Sequence, residues 1–330
     1  MDNETTILVT GGAGFIGSNF IEYLLEKYPS YKVVCFDALT YAGNRNNLKN
    51  AFKNDNFIFI KGDITNIKKV DSVFKKYKFD YVVNFAAESH VSNSIINPLQ
   101  FIKTNIYGVQ VLLDASKKYN VKRFHQISTD EVYGELNREE INVFFTEESK
   151  LNPQNPYAVT KASADMLVLS YHRNFKLDIT ISRCTNNYGK YQHKEKFIPY
   201  IINQCINNKK VYINGDGKNI RDWIYVLDHC IAIDLILHKG KSGEIYNVGT
   251  NTEKTNLEVA KLILNEFGLT ENKIAFIENR IGEDEKYAIC ASKIRNELGF
   301  KETTTFQNGI KQTINWYKDN IKWWEKNGNL

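Results

Sequence analysis

The stretch Thr6-Ile7-Leu8-Val9-Thr10-Gly11-Gly12-Ala13-Gly14-Phe15-Ile16-Gly17 decides the fold. Its apolar first half has the length of a buried strand, and apolar residues at helical spacing, Ile16, Phe20 and Leu24, follow the glycines up to Tyr28-Pro29. A strand, a glycine turn and a helix N-terminus make an anion site. Backbone N–H groups and the helix dipole face a phosphate there, and side chains at Gly11, Gly14 and Gly17 would obstruct it. A glycine motif alone is weak evidence, so the next strand matters. The run from Lys32 to Phe36 ends in Asp37, about 20 residues past the last glycine, where a carboxylate accepts hydrogen bonds from an adenosine ribose. The same charge repels a 2′-phosphate, which favours NAD over NADP.

Strand and helix patterns alternate outward from this unit. Phe57 to Ile60 leads to Gly62-Asp63-Ile64, Tyr81 to Ala87 forms a fourth apolar run, and helical spacing covers 67–77 and 101–119. The alternation predicts an α/β fold, a doubly wound parallel (Rossmann-type) sheet with a smaller, mixed C-terminal substrate domain. Asp63 reads equally as a residue beside adenine or as a helix-capping turn. A fifth strand, Arg123 to Ile127, delivers Ser128-Thr129-Asp130-Glu131 to the carboxyl end of the sheet, where open α/β sheets bind ligands. Two acids in a partly dry pocket have their pKa values pushed apart, so that one donates a proton while the other accepts. The plainer reading is a turn capped by Thr129 and Asp130. Further on, Asn155-Pro156-Tyr157 opens a helix that sets Tyr157 and Lys161 one turn apart on one face. Lysine together with an oxidised nicotinamide lowers a tyrosine pKa from about 10 toward neutrality, which equips Tyr157 to take a proton from a hydroxyl.

A sixth strand, Ile179 to Cys184, closes the regular pattern. The expected division is 1–184, with a return at about 219–249, for the cofactor domain, and 185–218 with 250–330 for the second domain. Arg221 either pairs bidentately with a diphosphate or forms a salt bridge to Asp222 or another carboxylate. The aromatic tail, Trp316, Tyr317, Trp323 and Trp324, reads as packing surface rather than a ligand platform.

Composition narrows the class. The 330 residues are 42% hydrophobic with a net charge of +5 scattered over many lysines, which suits a globular protein without a nucleic-acid tract. Acidic residues at the start and the lack of any apolar run of about 18 residues predict neither leader nor membrane span, hence a cytoplasmic protein. The five cysteines, without CxxC or His-flanked spacing, read as reduced packing residues, and no metal is expected.

With these residues in view, the chain resembles the dTDP-glucose 4,6-dehydratase family of the extended short-chain dehydrogenase/reductase superfamily. The resemblance is carried in order by TGGAGFIGS, FDALTYAGN, GDI, AAESHV, STDEVYG, PYAVTKASAD, NNYG, EKFIP, IRDW and NVG. It implies catalytic roles for Thr129, Asp130, Glu131, Tyr157 and Lys161. It implies NAD contacts at Gly11, Gly14, Phe15, Ile16, Gly17, Asp37, Thr40, Asp63, Ile64, Ala86, Ala87, Ser89, Thr104, Tyr157, Lys161 and Asn187. Nucleotide-sugar contacts fall on Ser89, Thr129, Asn186, Glu195, Lys196, Phe197, Tyr212, Asn214, Arg221, Asn256, Arg280, Glu283 and Tyr287. It also implies a homodimer joined through the helices around 101–119 and 157–175. Substitutions at Tyr212, Asn214 and Glu283 relative to the family pattern keep UDP-glucose and UDP-N-acetylglucosamine as alternatives to dTDP-glucose. A nucleotide-sugar epimerase is the more remote alternative, since related epimerases carry small or apolar residues where Asp130-Glu131 stand here.

Overall fold

The computed structural model describes residues 5–279 and 284–326, so Arg280 and Glu283 lie outside the described residues. Its first strands are β1 (Thr6–Thr10), β2 (Lys32–Asp37), β3 (Phe57–Lys61), β4 (Tyr81–Asn84), β5 (Arg123–Thr129) and β6 (Ile179–Cys184). There follow β7 (Asn186–Tyr188), β8 (Val211–Asn214), β9 (Ile220–Tyr225), β10 (Glu244–Val248), β11 (Glu253–Thr255) and β12 (Ile274–Ile277). Seven of them form one sheet in the order β10-β6-β5-β4-β1-β2-β3, and every pairing in it is parallel. A parallel sheet needs both faces covered, and the alternation along the strands supplies two cores. Leu8, Val34, Val82 and Phe124 pack with Val73, Leu112 and Val168 on one face; Ile7, Val9, Val33 and Val83 pack with Phe20, Leu24, Ile233 and Leu237 on the other. Each such side chain contributes about 1.5–3 kcal/mol on burial.

The strand order reverses between β1 and β4, which opens a crevice at their carboxyl ends. Just below it a polar ladder fixes three strands. Thr10 Oγ1 donates to Asn84 Oδ1 at 2.5 Å, and Asn84 Nδ2 donates to Gln126 Oε1 at 2.9 Å. The fourth strand is shorter than expected. It ends at Asn84, and Phe85, Ala86 and Ala87 leave the sheet to line the crevice.

Two small sheets follow. One has the order β11-β9-β7, antiparallel between β11 and β9 and parallel between β7 and β9; the other pairs β12 with β8. The chain returns to the large sheet through helix Val226–Lys239 and β10. Residues 220–225, expected with that return, pair in the small sheet instead. Asp222 fixes them there by accepting backbone hydrogen bonds from Thr250, Asn251 and Thr252. The helical pattern over 101–119 is also broken: helix Pro98–Phe101 runs into a π-helical turn, Ile102–Gly108, before helix Val109–Lys118. Such turns recur at functional sites. Among the described residues no helix is long and apolar enough to cross a membrane. Cys35, Cys184, Cys205 and Cys230 are buried, and all five cysteines are free.

Candidate active site

A cavity of about 460 Å³ fills the crevice. Its floor is the glycine turn. Gly11 has φ +65°, and a Cβ there would come within 2.6 Å of the Ala86 backbone nitrogen, so β1 and β4 approach closely only because this residue is glycine. Helix Phe15–Lys27 begins at the turn with no side-chain cap, so its first N–H groups remain available to an anion.

Every residue expected at NAD lines this cavity. Asp37 does so as a structured group: its Oδ2 accepts from Ala13 N at 2.9 Å and its Oδ1 from Leu39 N at 2.7 Å, which ties the end of β2 to the turn. Burial raises its pKa, and these two backbone bonds oppose the rise. Asp63 satisfies both of its readings, since it lines the cavity and accepts from Thr65 N at 2.8 Å in a turn before helix Ile67–Tyr77. Thr104 comes from the π-helical turn.

The residues expected to be catalytic, Thr129, Asp130, Glu131, Tyr157 and Lys161, line the same cavity. Thr129 caps the short helix Asp130–Tyr133 by accepting from Glu131 N at 3.3 Å, so the plain capping reading holds for Thr129, whereas Asp130 Oδ1 accepts from Thr129 Oγ1 at 3.3 Å instead of capping the turn. Burial pushes Asp130 well above the usual carboxylate range, and the charges of Glu131 and Asp222 add to this. Burial raises Glu131 too, but Asn155, Lys196 and Arg221 pull it back. Both carboxyls are thus raised, Asp130 the more strongly. The expectation that Lys161 lowers the Tyr157 pKa is not met by the protein alone. Burial and the charge of Glu131 push the phenol well above its ordinary value, while burial lowers Lys161 and its Nζ donates to Ile127 O at 2.5 Å.

Of the expected substrate contacts, Ser89, Thr129, Asn186, Glu195 and Lys196 line the cavity; Phe197, Tyr212, Asn214, Arg221, Asn256 and Tyr287 do not. Tyr212 is exposed on β8. Arg221 makes contacts that include the segment 284–287. It lies over the Tyr287 ring at 4.6 Å and donates to Asp284 O at 2.7 Å, and its charge reaches Asp130 and Glu131.

Several lining residues were not singled out by the sequence reading. Tyr41, His193, Gln192 and Trp323 line the cavity from segments whose approach depends on tertiary packing. Behind Asn187 stands fully buried His229, its pKa pushed down to about 3 by burial, so the neutral ring donates from Nδ1 to Asn187 Oδ1 at 2.9 Å. Only the Asn155-Pro156 helix start was a readable signal, and it marked the residue that holds Glu131.

The donor set fits a polar, dinucleotide-sized ligand. Ser128 Oγ, Asp130 Oδ2, Thr185 Oγ1, Gln192 Oε1, His193 Nδ1 and Glu195 Oε1 are buried without a hydrogen-bond partner, and all six residues line this cavity. Buried polar groups are normally satisfied, so a concentration of unsatisfied ones marks a binding surface.

A Rossmann-type sheet with a glycine turn after β1 and a Tyr157/Lys161 pair beside it defines an extended short-chain dehydrogenase/reductase. The family model for GDP-mannose 4,6 dehydratase matches residues 8–313. The low-salt glycan biosynthesis protein Agl12 of Haloferax volcanii is 46% identical over 94% of this chain and 98% of its own. The crystal structure of dTDP-glucose 4,6-dehydratase from Bacillus anthracis in complex with NAD superposes with TM-score 0.91 at 46% identity, covering 98% of this chain and 99% of that one. DesIV, the dTDP-glucose 4,6-dehydratase of Streptomyces venezuelae solved with NAD and TYD bound, gives TM-score 0.93 at 40% identity, covering 98% and 100%. The chain belongs to the dTDP-glucose 4,6-dehydratase family.

Proposed function

We propose that the protein is an NAD-dependent hydro-lyase that converts dTDP-glucose to dTDP-4-keto-6-deoxyglucose. The observation that carries this reading is the buried pair Asp130 and Glu131 in one cavity with Tyr157, both carboxyls raised by burial but Glu131 pulled back by Asn155, Lys196 and Arg221. The glycine turn and Asp37 would hold NAD, which would supply the acceptor for hydride from C4, the donor for its return to C6, and a cationic ring favouring the Tyr157 phenolate. Tyr157 takes the proton of the 4-hydroxyl, with Thr129 lowering its pKa by hydrogen bonding. The 4-ketone acidifies the C5 proton. Glu131, oriented by Asn155, removes that proton, Asp130 gives its own proton to the departing 6-hydroxyl, which leaves as water, and Glu131 restores a proton to C5 once C6 is reduced. No net redox change results.

We assign 1–184 and the returning helix and strand to NAD, and 185–225 with 250–330 to the nucleotide sugar, since residues 220–225 pair in the small sheet. Support comes from Arg221, whose guanidinium lies over the Tyr287 ring and whose charge reaches Asp130 and Glu131. The exposed apolar residues Ile102, Val159 and Met166 lie on the segments expected to join a homodimer, with exposed Ile96 and Leu99 on the short helices just before them, and a second copy is their proposed cover. Five free cysteines suit a reducing compartment, and we place the enzyme in the cytoplasm.

A panel of dTDP-glucose, UDP-glucose and UDP-N-acetylglucosamine, followed by mass spectrometry for loss of water, tests the assignment. We expect kcat/KM to favour dTDP-glucose by more than about tenfold, roughly 1.4 kcal/mol. A smaller preference removes the support for thymidine, and no water loss with any of the three removes the dehydratase reading.

A further inference from the structure

The aromatic tail does more than pack. Helix Ile321–Lys326 brings Trp323 to the wall of the cavity, where its indole Nε1 donates to Asn47 Oδ1 at 2.9 Å. Asn47 also lines the cavity, is 1% exposed, and donates from Nδ2 to the backbone oxygen of Ala13 at 2.9 Å. Ala13 lies inside the glycine turn. The same oxygen accepts from Asn44 N at 3.0 Å, and Ala13 N donates to Asp37 Oδ2 at 2.9 Å. One residue of the turn is thus tied to positions 37, 44 and 47 of the segment after β2, which forms one wall of the cavity. Trp323 is the outer anchor of that set.

The anchor is itself rigidly held. Trp323 packs edge-on against Trp316 with ring centroids 5.2 Å apart and lies 6.4 Å from Tyr191. Tyr317, fully buried, donates to Gln192 O at 2.7 Å, and Tyr191 Oη donates to Glu22 Oε1 at 2.9 Å. The C-terminal helices therefore grip two segments that border the cavity, 44–47 and 189–192. A hydrogen bond made by a buried amide between a rigid aromatic anchor and a backbone carbonyl resists any parting of the wall from the turn.

We propose that Trp323 is a positioning residue for the cofactor: through Asn47 it pins the wall segment to the glycine turn and governs how fast NAD leaves. The proposal rests on the reading that this cavity holds NAD. A cofactor whose hydride returns to the product within each turnover has no need to exchange, and slow release keeps the enzyme charged between substrates.

The test is the rate of NAD release from purified enzyme after dilution, with released NAD captured by an alcohol dehydrogenase, for wild type, Trp323→Phe, Asn47→Asp and the double variant. Trp323→Phe keeps the ring and removes the N–H donor; Asn47→Asp keeps the acceptor and removes the donor to Ala13. Each is expected to speed release by about fivefold, the worth of one such bond. Because both act on one relay, the double variant should release no faster than the faster single variant. Trp316→Phe, which alters the aromatic packing without touching Asn47, should stay within about twofold of wild type, whereas a purely structural role would speed it equally. Release from both single variants within about twofold of wild type, or multiplicative effects in the double variant, overturns the relay. Should Trp323→Phe fail to fold, Asn47→Asp decides alone by the same fivefold and twofold marks. A wild-type enzyme that carries no NAD overturns the cofactor reading and the relay together.

Discussion

Asn155 holds the carboxylate of Glu131 and the start of the helix that carries Tyr157 with a single side chain. Its Nδ2 donates to Glu131 Oε2 at 3.4 Å, and its Oδ1 accepts from Ala158 N at 2.9 Å. The proposed base and the proposed phenol come from segments 26 positions apart, yet one buried amide sets their separation. It also lowers the Glu131 pKa against the upward push of burial.

Asn155→Ala removes both bonds. Loss of the cap costs about 1 kcal/mol of stability, visible as a lower Tm. Loss of the bond to Glu131 raises that carboxyl's pKa, and a base is active only when ionised, so the acid limb of the kcat/KM profile should move to higher pH. Profiles that superimpose on wild type would show that Glu131 is not the titrating base.

Asp130 should trade stability for function. Its folded pKa is raised, so the folded state holds a proton that the unfolded chain releases above about pH 4. The stabilisation from that proton is full below the unfolded pKa and is lost as pH rises through the folded one. Asp130→Asn keeps a neutral group at all pH values. The variant should melt higher than wild type at alkaline pH, and the two curves should converge near pH 4; the check is thermal unfolding across pH, with equal differences at both ends counting against the assignment.

The sequence carried the fold unevenly, and the reasons are physical. Gly11 and Asp37 were legible because a close backbone approach and a strand-end carboxylate leave local signatures, and all expected NAD contacts share one cavity. The segment 220–225 was misassigned because its partners, Thr250 to Thr252, are distant in sequence and bind Asp222 through backbone N–H groups that have no sequence signature. Trp323 reads as packing for the same reason: helical spacing reveals an apolar face but not that one indole reaches Asn47. The upward push on Tyr157 in the protein alone was not legible because burial, its largest cause, is a tertiary property.

The buried pair Arg183 and Asp165 supports the catalytic helix from behind. Arg183 Nε donates to Asp165 Oδ2 at 2.9 Å, both are almost wholly buried, and the guanidinium lies 4.8 Å from the Tyr133 ring. Asp165→Ala leaves an uncompensated buried cation and should cost about 3–5 kcal/mol in urea unfolding. A cost under about 1 kcal/mol would mean that the pair is hydrated in solution.

Asp37 should select the cofactor. Its carboxylate is fixed by Ala13 and Leu39, at the cavity wall where a ribose 2′ position with a phosphate would meet negative charge. Heat-released supernatant from purified enzyme should contain NAD, and NADP in its place would contradict the assignment.

The most direct test of the elimination machinery is Glu131→Gln with dTDP-glucose, quenched with borodeuteride and read by mass spectrometry. The substitution keeps shape and removes the base for the C5 proton, while Tyr157 and Lys161 remain for oxidation at C4. The account predicts deuterium at C4 of a sugar that has kept its water, with overall dehydration slowed by about 10²–10⁴. Normal dehydration by the variant, or loss of C4 oxidation along with it, would contradict the account.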